Sequence, residues 1–388
     1  MMNSKKKVYL DYAATTPLDS VVMEAMSPYF SYLFGNPSSA HTFGQQAEAA
    51  LEKSRQTVAE CINCHPEEVV FTSCGSESDN LALRGAALAA KRNRNANHIL
   101  ISPVEHHAVT NTARQLNELF GFEVEYLPVD GFGQVNPEDL SKQLREDTAI
   151  VSLIYANNEI GTLNHITESG TICRERNIPF HTDAVQAAAY LPIDVDVLGI
   201  DLLAIGAHKF YGPKGVGALY IRKGTPIFPT QTGGNQEFGL RAGTSNIPYI
   251  VGLAEALRLS NGEHIQKPDH LIALRDRIIG FVLEEIPDTK LTGHPTERLP
   301  NHASFVFKGV DGNTLLRMLD VNGFACSSGS ACKTGDPKPS DVLTSLGLDH
   351  DWALGSLRVS LGKNTSINEV NSFLSVLPEI IQQVRYLS

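Results

Sequence analysis

Residues 202–221 read LLAIGAHKFYGPKGVGALYI. Leu202–Ile205 and Val216–Ile221 are short apolar runs, each too brief for a helix and bounded by glycine or proline, the pattern of strands buried on both faces. Between them stand His208 and Lys209, then a Gly-Pro-Lys-Gly turn. A lysine leaving a buried strand is partly withdrawn from water, which lowers its pKa and leaves a nucleophilic, imine-forming amine. Lys214, inside the turn, reads as a solvated loop lysine.

Outward from this stretch, further apolar runs recur at Val69–Thr72, His98–Ile101, Glu123–Leu127, Ala149–Ile154 and Ile178–His181. Helix-period stretches separate them. One places Ala47, Leu51, Ser54, Val58 and Ile62 on a single face. Strand–helix alternation predicts an α/β fold, with a mostly parallel sheet flanked by helices. After about residue 258 the texture changes: helix Leu271–Glu285, strand Ala303–Phe307, helix Thr314–Asn322, strand Leu357–Ser360 and a last helix from Asn368 to Arg385. That reads as a smaller α+β domain. The expected division is a large domain over 16–258 and a small one from 1–15 and 259–388. Ser327–Ser340, SSGSACKTGDPKPS, has almost no apolar content and is expected to be a mobile loop.

The chain has 388 residues, 42% hydrophobic, with a formal net charge of −11. Its length buries a core without disulfide staples. The acidic balance argues against direct nucleic-acid binding. No run of about 18 apolar residues predicts a membrane span, and the N-terminal MMNSKKKVYLDY lacks the apolar core of a signal peptide. Six scattered cysteines suit a reducing cytoplasm better than a disulfide framework. Cys61-Ile62-Asn63-Cys64-His65 matches a haem-attachment spacing, but no export signal accompanies it and no second CxxC offers a metal site; packing cysteines are expected. No metal is expected anywhere.

Ligands of a parallel sheet bind at its carboxyl edge. That edge is read here as Ser73-Cys74-Gly75-Ser76, a small-residue turn before a helix and so an anion site or merely a cap; Glu105-His106-His107; Tyr155-Ala156-Asn157-Asn158; His181-Thr182-Asp183; and Gly206-Ala207-His208-Lys209. Taken singly these are weak signals. Together they match the needs of pyridoxal 5'-phosphate (PLP): an imine lysine, a carboxylate for the ring nitrogen, a phosphate cradle and an aromatic lid.

The ordered motifs YLDYAATTPLD, GNPSSAHTFG, FTSCGSESDNLA, EHHAV, NNEIG, HTDAVQA, AHKFYGPKGVGALY, QEFGLRAGT, ACSSGSAC and SLRVSLG run nearly end to end. The chain resembles the NifS/IscS type of cysteine desulfurase, class V aminotransferase-like enzymes of PLP fold type I. The resemblance implies that Lys209 forms the cofactor imine, Asp183 pairs with the ring nitrogen, Gln186 bonds the ring oxygen and His106 covers the ring and shuttles protons. It assigns the phosphate to Gly75, Ser76 and His208, with Gly206 beside them, and to Thr244 reaching across a homodimer. Asn157 would sit beside ring and substrate. Arg358 would clamp the substrate carboxylate, helped by Asn36. Cys332 is the implied nucleophile and Cys326 its rival. Conversion of L-cysteine to alanine would leave a persulfide on Cys332 for an iron–sulfur scaffold or a tRNA-thiolation sulfurtransferase. Selenocysteine lyase, another class V reaction and a cofactor-free thiol scaffold are the alternatives; Cys74, at a helix N-terminus, is either a small packed residue or a redox-sensitive thiol.

The family usually has serine three residues before the imine lysine, where this chain has Gly206. The missing donor costs about 0.5–1.5 kcal/mol if nothing replaces it. Gly206→Ser is therefore expected to lower the PLP dissociation constant, read by absorbance titration; an unchanged constant would refute the argument.

Overall fold

The computed structural model describes residues 7–263, 268–329 and 339–387. In chain order the strands are β1 (Val8–Tyr9), β2 (Val69–Thr72), β3 (His98–Ile101), β4 (Glu123–Tyr126), β5 (Thr148–Ser152), β6 (Phe180–Asp183), β7 (Leu202–Gly206), β8 (Gly217–Ile221), β9 (Thr289–Leu291), β10 (His302–Phe307), β11 (Phe324–Ala325) and β12 (Ser356–Ser360). Seven form the central sheet, in the order β2-β8-β7-β6-β5-β3-β4. Only β8 runs against its neighbours. The carboxyl ends of β2, β3, β5, β6 and β7 therefore share one edge. β12-β10-β9 make an antiparallel sheet, and β1 pairs with β11 in parallel.

Alternation along single strands shows why the central sheet must be covered on both faces. Val69, Phe71, Leu203 and Ile205 join one apolar cluster, with Ala47, Leu51 and Val58 from the helix Thr42–Ile62. Val70, Leu202 and Leu219 join the opposite cluster, with Leu81, Val109 and Leu116 from the helices Gly75–Arg94 and His107–Phe120. Side chains point alternately to the two faces of a strand, so continuous apolar runs require helices on both.

The helix Gly75–Arg94 fixes one wall of the site, and its sequence sets both ends. Cys74 is an extended N-cap and Glu77 lies in the first turn; Lys91, Arg92 and Arg94 occupy the last turn and Asn95 closes it at φ 54°. Acid first and base last follow the helix dipole, and asparagine tolerates the left-handed cap.

A buried ion pair ties the loop at 236–244 to the sheet. Arg55 Nη1 and Nη2 donate to the Glu237 carboxylate at 2.8 and 3.1 Å, while Nη1 also reaches the Val69 carbonyl at 2.6 Å. Phe71 and Phe238 sandwich the guanidinium at 5.0 Å. Glu237 and Phe238 sit at φ 46° and 58°, a backbone held by these contacts rather than by residue preference. Arg55→Ala is expected to cost about 3–5 kcal/mol, because it strands the Glu237 carboxylate in the core. A denaturant-midpoint comparison checks this, with Arg55→Ala/Glu237→Gln recovering part of the loss.

Candidate active site

The strand ends at the carboxyl edge enclose a cavity of about 250 Å³. Gly75, Ser76, His106, Asp183, Gln186, His208, Lys209 and Arg358 all line it. Eight residues singled out from the sequence thus converge, although they are spread over nearly the whole chain.

Lys209 lies three residues beyond the end of β7. Its Nζ donates to the carbonyls of Ala13 at 2.6 Å and Ala14 at 2.8 Å. Burial, reinforced by the Arg358 charge and opposed by Asp183 and Asp11, lowers its pKa from 10.5 to about 8. A substantial neutral fraction is available near physiological pH, as imine formation needs.

Asp183 ends β6. Its Oδ1 accepts the Val185 amide at 2.9 Å. Burial raises its pKa, while His106 and Lys209 pull it down. Gln186, beside it, donates from Nε2 to the Ala13 carbonyl at 2.8 Å. His106 caps the helix His107–Phe120: Nδ1 accepts the Ala108 amide at 3.1 Å, so a neutral ring carries its proton on Nε2. Burial lowers the His106 pKa, with the Lys209 and His107 charges adding to the effect against Asp183. An imidazole that is neutral at pH 7 can donate from Nε2 or stack on a flat ring.

The first-turn amides of Gly75 and Ser76, which also line the cavity, have no intrahelical partners, and the Cys74 side chain does not cap them. A Cβ on Gly75 would come within 2.5 Å of Val185, so only glycine fits there. Gly206 abuts this turn: a Cβ placed on it would lie 3.3 Å from the Gly75 nitrogen, within reach of the same cradle. His208 Nδ1 meets Thr15 Oγ1 at 3.1 Å; burial and the nearby Lys209 and Lys214 charges lower its pKa to about 4, so it would meet a phosphate as a neutral ring. The free amides, the buried carboxyl, the imidazole and the low-pKa amine fit PLP.

Arg358 reaches the cavity from the second sheet, and several of the remaining sequence candidates fall outside it. Arg358, on β12, donates to Asp11 Oδ1 and to the Asn158 carbonyl, each at 2.9 Å, and its Nε is buried without a partner. Asn157 is fully buried and spends its side chain on backbone: Nδ2 donates to the Val104 carbonyl, and Oδ1 accepts the amides of Glu159 and Ile160. Asn158, not Asn157, lines the cavity. Asn36 is outside it, with Oδ1 accepting the Ser38 amide. Thr244 lines a second cavity with Ser73 and Arg241. Cys332 lies outside the described residues. Burial and Asp11 raise the pKa of Cys326 against the pull of Arg358. The pKa values of Cys61 and Cys64 are pushed up to about 11 and about 12, chiefly by burial, and both pack against the core. Cys74 lines the cavity.

Two acids inside quoted motifs have no role assigned from the sequence. Asp79 lines the cavity, and Glu105 is buried directly before His106. Each could have been noticed as a carboxylate within one helical turn or one residue of a flagged motif. Their burial, which makes them consequential, is a tertiary property.

Residues 8–373 match the aminotransferase class-V family. The chain is 47% identical over 384 residues to cysteine desulfurase IscS of Dictyoglomus turgidum, covering 99% of this chain and 97% of that one. The IscS of Methanosarcina thermophila is also 47% identical, covering 99% and 94%. Among solved structures, a NifS-like protein superposes with a TM-score of 0.90 at 37% identity, covering 97% of this chain and 100% of the other. SspA in complex with cysteine gives 0.80 at 36%, covering 92% and 99%. With its lysine, acid and anion cradle on one sheet edge, and with relatives matched along nearly its full length, the chain belongs to the cysteine desulfurases of the aminotransferase class-V family.

Proposed function

We propose that this chain converts L-cysteine to L-alanine with PLP and passes the sulfur on through Cys332. The observation that carries the reading is the Lys209 amine, shielded from water and placed in one cavity with Asp183, His106 and Arg358. The chemistry PLP supplies when bound is an electron sink for the Cα of an amino acid, strongest when a carboxylate keeps its ring nitrogen charged. Lys209 would hold the cofactor, Asp183 the ring nitrogen, Gln186 the ring oxygen, and Gly75 and Ser76 the phosphate. Arg358 would turn a guanidinium edge, including the unpartnered Nε, to the substrate carboxylate. Lys209, once free, can take the Cα proton on Nζ, and His106 offers Nε2 as a second proton site.

A thiolate at Cys332 would bond to the substrate sulfur as the Cβ–Sγ bond breaks, with the bonding pair staying on the carbon side. Cβ then gains one proton and Cα regains one, alanine leaves, and the enzyme keeps the persulfide. The raised pKa of Cys326 supports Cys332 as nucleophile, because a thiol kept protonated attacks poorly. Acceptors of the expected kind are an iron–sulfur scaffold or a tRNA-thiolation sulfurtransferase. A homodimer is supported by Thr244, which faces a cavity other than its own active site, and by the exposed aromatics Phe30, Tyr32, Phe34 and Phe43, since an exposed apolar patch marks an interaction surface. Free cysteines support a cytoplasmic setting, and no described helix is long and apolar enough to cross a membrane. The division into 16–258 against 1–15 with 259–388 is supported by the pairing of β1 with β11.

Lys209→Ala is expected to lose both the yellow colour and alanine formation; a colourless, PLP-indifferent wild type would contradict the reading. Cys332→Ser should keep the colour but lose the persulfide seen by mass spectrometry after cysteine treatment, whereas sulfur on Cys326 would overturn the assignment. Because only the neutral amine attacks an aldehyde, the rate at which apoprotein captures PLP should rise with pH through about 8 and level off above it; stopped-flow absorbance checks the midpoint.

A further inference from the structure

In and beside the cavity there is more buried acid than the reading above uses. Asp79, on the helix Gly75–Arg94, is buried, as are Asp183 on β6 and Glu105 in the turn after β3. Oxygens of Asp79 and Asp183 and a ring nitrogen of His106 lie within 4.8 Å of one another. Asp183 has an amide donor from Val185, and Glu105 Oε1 has one from Ile154 at 2.6 Å. Asp79 Oδ1 has no hydrogen-bond partner. His181 Nε2 lies 3.5 Å from it, on a ring whose Nδ1 meets Ser152 Oγ at 2.8 Å. Two like charges this close in a dry site cannot both persist, and an ion without a partner there is costly.

We propose that Asp79 is a positioning residue whose carboxyl keeps its proton, held between Asp183 and His181, so that the negative charge of this pair is confined to Asp183. The inference rests on the PLP reading, since its purpose is to fix which carboxyl faces the ring nitrogen. The surroundings single out Asp79 as the neutral member. From β6 it faces Asp183, an anion, and His181, whose pKa burial depresses to about 3 and which therefore brings no charge. Glu105 and Cys74 add only further acidic groups. The titratable bases Lys209 and His106 pull on Asp183 instead. Burial and the Asp183 charge, in that order, push Asp79 well above the ordinary carboxyl range. Were Asp79 ionised, its added negative charge would help to hold Lys209 and His106 in their protonated, unreactive forms.

Infrared spectroscopy of the holoprotein tests this without measuring turnover. The wild type should show a protonated-carboxyl stretch that persists from about pH 6 to about pH 8, far above an ordinary aspartic acid. Burial also pushes the Glu105 carboxyl well up, so Asp79→Asn should remove one component of the band, and Glu105→Gln should remove a different one and leave the Asp79 component in place. The pH midpoint for PLP capture by Lys209 should be the same in Asp79→Asn as in the wild type, because one neutral group replaces another. A downward shift of about one unit would mean that a negative charge had been removed, and would overturn the proposal. So would a wild-type spectrum with no such band, which needs no variant to fold. The two readings fail separately: a protein that keeps the band but takes up no PLP sinks the functional reading, and a PLP-loaded protein without the band sinks this one.

Discussion

The pocket is organised around a cation that must be able to give up its charge. Lys209 Nζ sits between two backbone carbonyls, near the positive Arg358 and away from bulk water. Carbonyl dipoles steady the ammonium, while desolvation and the neighbouring guanidinium favour the free amine. The balance places the amine's pKa near the pH at which the protein would work, a requirement for a nucleophile that also accepts a proton.

The fold supplies that balance through its parallel strands. β6 and β7 pair in parallel, so the carboxylate ending one strand and the lysine just beyond the other lie side by side. β2 delivers the free amides of Gly75 and Ser76 to the same edge, at the start of a helix whose far end is buttressed by basic residues. The antiparallel sheet contributes Arg358 from β12. Asp11, just after β1, holds that guanidinium in place at 2.9 Å. The site is thus a junction of both sheets and the N-terminal segment, and the buried Arg55–Glu237 pair keeps the 236–244 loop near its rim.

Much of this was legible in the sequence. The short apolar runs located the seven central strands to within a residue or two at most ends, because strands buried on both faces leave little ambiguity of pattern. β1, β9 and β11 escaped notice: at two or three residues each they carry no period to read. Lys209, Asp183 and His106 were noticed because each stands a few residues past the carboxyl end of an apolar run. The choice between Asn157 and Asn158 was not accessible, since adjacent asparagines look alike until the turn shows which amide is spent on backbone. Asp79 and Glu105 were passed over for a related reason: a carboxylate in a helix or beside a histidine reads as solvated unless the packing around it is known. Cys332 is placed by its motif alone.

The central claim concerns a single nitrogen. Borohydride reduction of the yellow protein, followed by digestion and mass spectrometry, fixes the cofactor to whichever lysine holds it. The account requires a pyridoxyl adduct on the peptide containing Lys209. An adduct on Lys214 instead, or no adduct on a protein that retains its colour, would contradict it.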